Sequence, residues 1–187
     1  MMNARRLRDH VRRGLTLRVT VRNPLHENVY GFPVAASGAL LLMQAVQDLQ
    51  PWGWVAVPWG NVAAFRSGRF ERFAERVLVG EGVAARPCPS WLETGSLAAL
   101  LASLMKRRRN VVIETAAVAA KAAPGENCFY LGRITSVDSS RVSMRTVDAL
   151  GRWHRRATRI RVDDIGQVQF DDPYIRAFSK YAPYPEE

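Results

Sequence analysis

Three histidines, two cysteines and two pairs of adjacent aspartates have the widest chemical repertoire in this 187-residue chain. A catalytic centre needs a nucleophile or an acid/base pair, together with a partner that tunes it. His10 sits in a basic N-terminal stretch, His26 in the turn-like run from Asn23 to Asn28, and His154 on an expected strand. None stands at metal-ligand spacing from Cys88 or Cys128, so a zinc site is not expected. The pairs Asp163-Asp164 and Asp171-Asp172 would point to opposite faces of a strand, and they read as turn and helix-cap residues. Cys128, beside Phe129 and Tyr130, reads as a small core residue. No phosphate-binding glycine loop, dinucleotide fingerprint or Gly-x-Ser-x-Gly elbow is present. The expectation is a protein that is not an enzyme, with no catalytic residue, metal, cofactor or small-molecule substrate.

Arginine is the remaining chemistry. The formal charge is +10, and of 27 basic residues only Lys106, Lys121 and Lys180 are lysine. Arginine donates two parallel hydrogen bonds from a planar fork, which suits phosphate, and so large a positive charge points to anionic partners. An arginine-preferring genome would leave the same skew. Between residues 141 and 162 the basic residues follow a period of two. One strand face would carry Arg141, Arg145, Arg155, Arg159 and Arg161 with Trp153 at its end. Cations for phosphate beside a flat ring for a base are what a single-stranded nucleic acid needs. The plainer reading is a solvated face with Trp153 anchoring a turn. Arg5, Arg6 and Arg8, followed by Arg12 and Arg13, form a second cluster, either an arm on phosphates or a frayed terminus. Lys106 to Arg109 end an expected helix, where cations also offset the macrodipole.

These groups are positioned by a degenerate internal repeat. Val29-Tyr30-Gly31-Phe32-Pro33-Val34 answers Phe129-Tyr130-Leu131-Gly132-Arg133-Ile134, and a short turn and a strand-like run follow each. The turns Asp48 to Trp54 and Asp148 to Trp153 both end in tryptophan. Arg69 to Phe73 answers Pro173 to Phe178. Each copy opens with a helix, Ala4–Arg13 in one and Leu97–Arg109 in the other, the latter with Ser96 as N-cap. A strand follows in each, Leu15–Val21 and Val111–Thr115. Asp171-Asp172-Pro173 is a helix start. The boundaries that follow are 1–80 for the first unit, 81–95 for a linker rich in Gly and Pro, and 96–187 for the second. The expected fold is mainly β with short flanking helices, as two small barrels from the internal repeat.

The composition, 48% apolar and 24% charged, is globular, and no apolar run approaches the ~18–20 residues that span a bilayer. The arginines near the start are not followed by an apolar stretch, so no secretory signal is expected, and two cysteines build no disulfide framework. A reduced cytoplasmic setting follows from these.

A helix and five short, bent strands in some sixty residues resemble the Sm-like small barrel of the LSm and Hfq-type proteins. Tyr130-Leu131-Gly132-Arg133-Ile134-Thr135-Ser136-Val137-Asp138 is similar to the first Sm motif, with its Gly, apolar residue and Asp. The resemblance covers about Arg109–Phe170 and, through the repeat, Gly14–Phe65. It implies a small barrel of the SH3 or Sm kind, RNA binding and joining of barrels through strand edges, with Pro33 and Pro58 blocking some edges of the first copy. The family's base-holding Asn has no counterpart, since Arg141-Val142-Ser143 stands there. Arg161-Val162-Asp163-Asp164-Ile165-Gly166 likewise replaces the Arg-Gly of the second motif. Only Asp138 carries over.

The first copy differs in character. Ala39 to Met43 and Trp54 to Trp59 are apolar on both strand faces, so something beyond their own barrel must cover them. The candidates are the Leu97–Met105 helix, the second copy or another subunit. The two functional expectations are therefore RNA binding on the basic face of the second copy, and a protein-interaction or assembly module acting through Trp52, Trp54 and Trp59 with a partner or a homo-oligomer.

Overall fold

The computed structural model describes residues 4–22, 28–115 and 128–185, and the side chains of residues 4–6 lie outside that description. His26 and Lys121 fall outside it as well. The chain runs α1 (Ala4–Arg13), β1 (Leu17–Val21), β2 (Asn28–Ala36), β3 (Leu40–Gln47), β4 (Gln50–Pro58), β5 (Val62–Arg66) and α2 (Arg69–Gly80). A helix–strands–helix series then begins again with α3 (Leu97–Lys106), β6 (Asn110–Thr115), β7 (Phe129–Val137), β8 (Arg141–Thr146), β9 (Thr158–Arg161), β10 (Ile165–Phe170) and α4 (Pro173–Tyr181). Among the described residues no helix is long and apolar enough to cross a membrane.

Local chemistry sets the ends of these elements. Ser96 Oγ accepts the Ala99 amide at 3.1 Å and starts α3, and Asp172 Oδ1 accepts the Ile175 amide at 2.7 Å ahead of Pro173 in α4. The β3–β4 hairpin turns through Asp48 and Leu49, both with positive φ (48° and 61°), the two-residue turn whose twist matches its strands. α3 stops at Lys106, three residues short of the expected Arg109, because Arg108 adopts a φ of 51°.

The ten strands form one sheet in the order β5-β1-β2-β3-β4-β10-β6-β7-β8-β9, and every named pairing is antiparallel. In each half the last strand lies beside the first, β5 next to β1 and β10 next to β6. Where the sequence led to two separate barrels, the sheet is open and continuous. β4 gives its second edge to β10, with Val168 opposite Ala56 and Phe170 opposite Trp54, instead of closing on β5. The unpaired edges of the sheet are β5 and β9.

That junction explains the doubly apolar strands of the first half. Leu40, Leu42, Trp54 and Ala56 pack with Leu97, Leu100, Leu101 and Leu104 of α3 and with Val111, Ile113, Val168 and Phe170. Leu41, Met43, Val55 and Val57 face the other way, onto Leu7 of α1 and Leu17, Val19 and Val21 of β1. Both faces of β3 and β4 are therefore covered within the chain, one by α3 and the second half and the other by α1 and β1 of the first half.

One buried acid ties the first half together. Glu71 is 1% exposed and accepts the Gly68 amide at 2.7 Å, while Arg66 and Arg18 reach it at 3.0 and 3.2 Å. Burial pushes its carboxyl up, but the Gly68 and Arg66 hydrogen bonds outweigh that and hold it below the ordinary glutamate value. A carboxyl lowered in the folded state stabilises the fold above its unfolded pKa, and the contribution is lost as pH falls through the folded value. Glu71→Gln is expected to cost about 2 kcal/mol at neutral pH, by leaving Arg18 and Arg66 facing an uncharged group. Urea midpoints of wild type and variant should converge as the pH drops below about 4. An unchanging gap across that range would show that the charge of Glu71 is not what matters.

Candidate nucleic-acid interface

The basic face is built on β7, β8 and β9. Val142, Met144 and Ile160 point into the core at 0%, 0% and 5% exposure, so alternation turns Arg141, Ser143, Arg145, Arg159 and Arg161 to the other side. Register then makes like charges neighbours. Arg141 stands opposite Arg161, Arg133 opposite Arg145, and Ser143 opposite Arg159. Directly opposed like charges destabilise a strand pair. Arg161 lies 3.9 Å from both Asp163 and Asp164, at the outer limit of an ion pair. Arg141 and Arg159 form no ion pair among the described residues.

The aromatic element of this face is Tyr184. Its ring lies 4.3 Å from the Arg133 guanidinium and 5.1 Å from that of Arg145, and its hydroxyl accepts from Arg145 at 3.5 Å. Burial, the larger influence, lowers the Arg133 pKa from the ordinary arginine value, while Tyr184 acts against it. Arg133 also donates to Asn110 Oδ1 at 3.4 Å, so it is held in place on both sides.

Of the residues expected on this face, Trp153 stands at its end beside Tyr184, and Arg155 lies off the ladder. Residues 154–157 form no ladder, and Trp153 makes only an isolated bridge to Val147. The reason is local. Asp148 Oδ1 accepts the Leu150 and Arg152 amides, each at 2.9 Å, and Gly151 takes a φ of 77°, which closes a tight loop ahead of Trp153. The Trp153 indole donates to the Ala182 carbonyl at 3.0 Å and meets Tyr184 edge-on at 4.9 Å, so it anchors the C-terminal segment instead of offering a free ring. Arg155 sits in the bend before β9, where it lines a separate cavity of about 700 Å³ with His154 and Arg156. Arg8 is exposed on α1, in the first half, and the Arg5 and Arg6 side chains lie outside the described residues. Arg141, Arg145, Arg159 and Arg161 are the predicted members that share the face, with Trp153 at its end. Arg133 and Tyr184 join them unforeseen. Arg133 follows Leu131 and Gly132, both buried, so alternation does not single it out, and Tyr184 is distant in sequence with no periodic signal.

The tryptophans of the first half are engaged within the chain. Trp54 is 8% exposed and stacks on Phe170 with ring centres 6.3 Å apart. Trp59 donates to the Ser37 carbonyl at 2.7 Å. Trp52 is half-buried at the mouth of a cavity of about 630 Å³ shared with Tyr30, Glu114 and Gln167.

Asp138 shapes a turn. Its Oδ1 accepts the Ser140 amide, the Ser140 hydroxyl and the Arg141 amide at 2.7, 2.9 and 2.8 Å, and these bonds lower its pKa. Among the other reactive residues, His10 is buried on α1, and burial raises the Cys88 thiol. Asp171 pairs with Arg109 at 3.3 Å. No group of three or more metal-ligating side chains occurs among the described residues. Comparison of the chain with protein-family models, with curated proteins and with solved structures gives no match.

Proposed function

We propose that this protein is a non-enzymatic RNA-binding protein of the cytoplasm, built from two Sm-like units and holding a single strand on the face of β7, β8 and β9. The observation that carries the reading is the pair of opposed arginine couples, Arg141–Arg161 and Arg133–Arg145, the second of them against the Tyr184 ring. Such an arrangement costs stability in the free protein and is offset by a polyanion whose phosphates lie between the guanidiniums. The two-unit reading draws on the strand order, in which each half sets its closing strand beside its opening one.

The test is binding of a short single-stranded RNA across a salt series, with duplex DNA beside it. Submicromolar affinity near physiological salt and a clear preference for RNA are expected, with log affinity falling about 0.7 per neutralised phosphate for each unit of log salt. Weak binding, equal for both polymers and abolished by moderate salt, would mean only that the protein is basic.

A second reading, assembly of copies, draws on the two unpaired edges. β5 exposes Ala63 and Ala64, whereas β9 is four residues long and bears two exposed arginines, a composition that discourages edge pairing. Light scattering on the same samples separates the readings. A mass above that of one chain without RNA, independent of moderate salt, favours assembly.

A further inference from the structure

A second basic constellation lies away from the β7–β9 face, where the two halves meet. A cavity of about 260 Å³ is lined by Gln44, Gly53 and Trp54 of the first half, by Arg86 from the segment between the halves, and by Arg109, Asp171 and Arg176 of the second. Three guanidiniums from three separate stretches of chain thus surround one small space with a single carboxylate. Asp171 pairs with Arg109 at 3.3 Å. The side chains of Arg86 and Arg176 form no ion pair among the described residues, so the lining residues carry an excess of two positive charges, with the Asp172 carboxylate near enough to Arg176 to interact with it.

Gln44 is a second, independent observation. It is 2% exposed, and its Oε1 accepts the Arg86 amide at 2.6 Å, which fixes the orientation of the side-chain amide. The Nε2 group is consequently a buried donor with no partner among the described residues. Buried donors are almost always satisfied, and one left open beside unpaired guanidiniums signals a missing acceptor. Gly53 permits the close approach that forms the wall. A Cβ there would stand 2.7 Å from the Asp172 amide nitrogen. The Asp172 carboxylate itself accepts the Ile175 amide at the start of α4.

We infer that this junction is a binding site for a phosphate group. The donors come from four separate stretches of chain, which suits an oxyanion with more acceptor oxygens than a carboxylate has. The volume falls below the roughly 300–1,000 Å³ of cavities that take larger ligands whole, so the phosphate occupies it and any attached group projects outward. The inference does not rest on the RNA reading, because none of these residues belongs to the β7–β9 face.

Calorimetric titration with inorganic phosphate, at ionic strength matched with chloride, tests it. A 5′-mononucleotide and a short RNA serve as parallel arms. Saturable phosphate binding is expected, weakened about tenfold or more in Arg86→Gln/Arg176→Gln, and unchanged in Arg72→Gln, an exposed helix position elsewhere. Both arginines of the double variant are exposed, so it should fold, and an unchanged thermal midpoint in chloride would verify this. The arm that binds most tightly and loses most in the double variant identifies the source as free phosphate, a phosphomonoester or a nucleic-acid backbone. No heat beyond the chloride control in any arm, or equal affinities in wild type and double variant, would overturn the site.

Discussion

Replacing Arg141, Arg159 and Arg161 together by glutamine is expected to weaken single-stranded RNA binding roughly 100-fold at physiological salt. Each exposed guanidinium in contact with a phosphate is taken to contribute about 1 kcal/mol, and about 1.4 kcal/mol is a factor of ten in affinity. The salt slope should fall by about 2, since three phosphates lose their partners at about 0.7 each. These positions project from the sheet while Val142 and Ile160 between them fill the core, so the fold should survive. Removing the opposed Arg141–Arg161 couple should even raise the urea midpoint slightly, by a few tenths of a kcal/mol. A merely structural role predicts the opposite sign. If affinity and slope are both unchanged while RNA still binds, the strand lies elsewhere on the molecule.

Gly132→Ala is expected to cost about 3 kcal/mol or more, a large share of the 5–15 kcal/mol that stabilises a typical domain. A Cβ built at Gly132 runs into the Arg145 carbonyl on β8, backbone that cannot step aside without breaking the β7–β8 ladder. Gly31 has the same relation to the Gln44 carbonyl on β3. Residues 31 and 132 occupy matching places in the two halves, each where a long second strand bends tightly against the third. Gly38→Ala is the control, because a Cβ there meets nothing within 4 Å. Urea midpoints should fall sharply for Gly132→Ala and Gly31→Ala and stay within about 0.5 kcal/mol of wild type for Gly38→Ala. Equal, small effects at all three positions would mean that the strands need no such close approach. Because Arg145 sits on the carbonyl in question, a partly folded Gly132→Ala protein should also bind RNA less well.

Several elements were legible in the sequence because their causes are local. Ala4–Arg13 is a helix to the residue, Ser96 caps α3, and Asp172 with Pro173 starts α4. Strict alternation in β8 correctly sent Arg141 and Arg145 to one face and Val142 and Met144 to the other. The same rule failed after Trp153. There, backbone hydrogen bonds to the Asp148 carboxylate and the docking of the indole onto Ala182 override a pattern that alternates in composition without forming a ladder. The tryptophan pattern correctly demanded a cover for β3 and β4, yet it could not choose among α3, the second half and another subunit.

By itself, then, the sequence determined a mainly β chain of two like series of elements, its helix ends and the outward side of β8, because capping, turn chemistry and period-two alternation act over a few residues. Tertiary structure alone decided that β4 pairs with β10 in one open sheet, that Tyr184 lies between Arg133 and Arg145, and that Arg86, Arg109 and Arg176 gather around Gln44. Each of these brings together groups far apart in the chain, and strand-edge choice and charge convergence depend on which surfaces remain unburied once the core has formed.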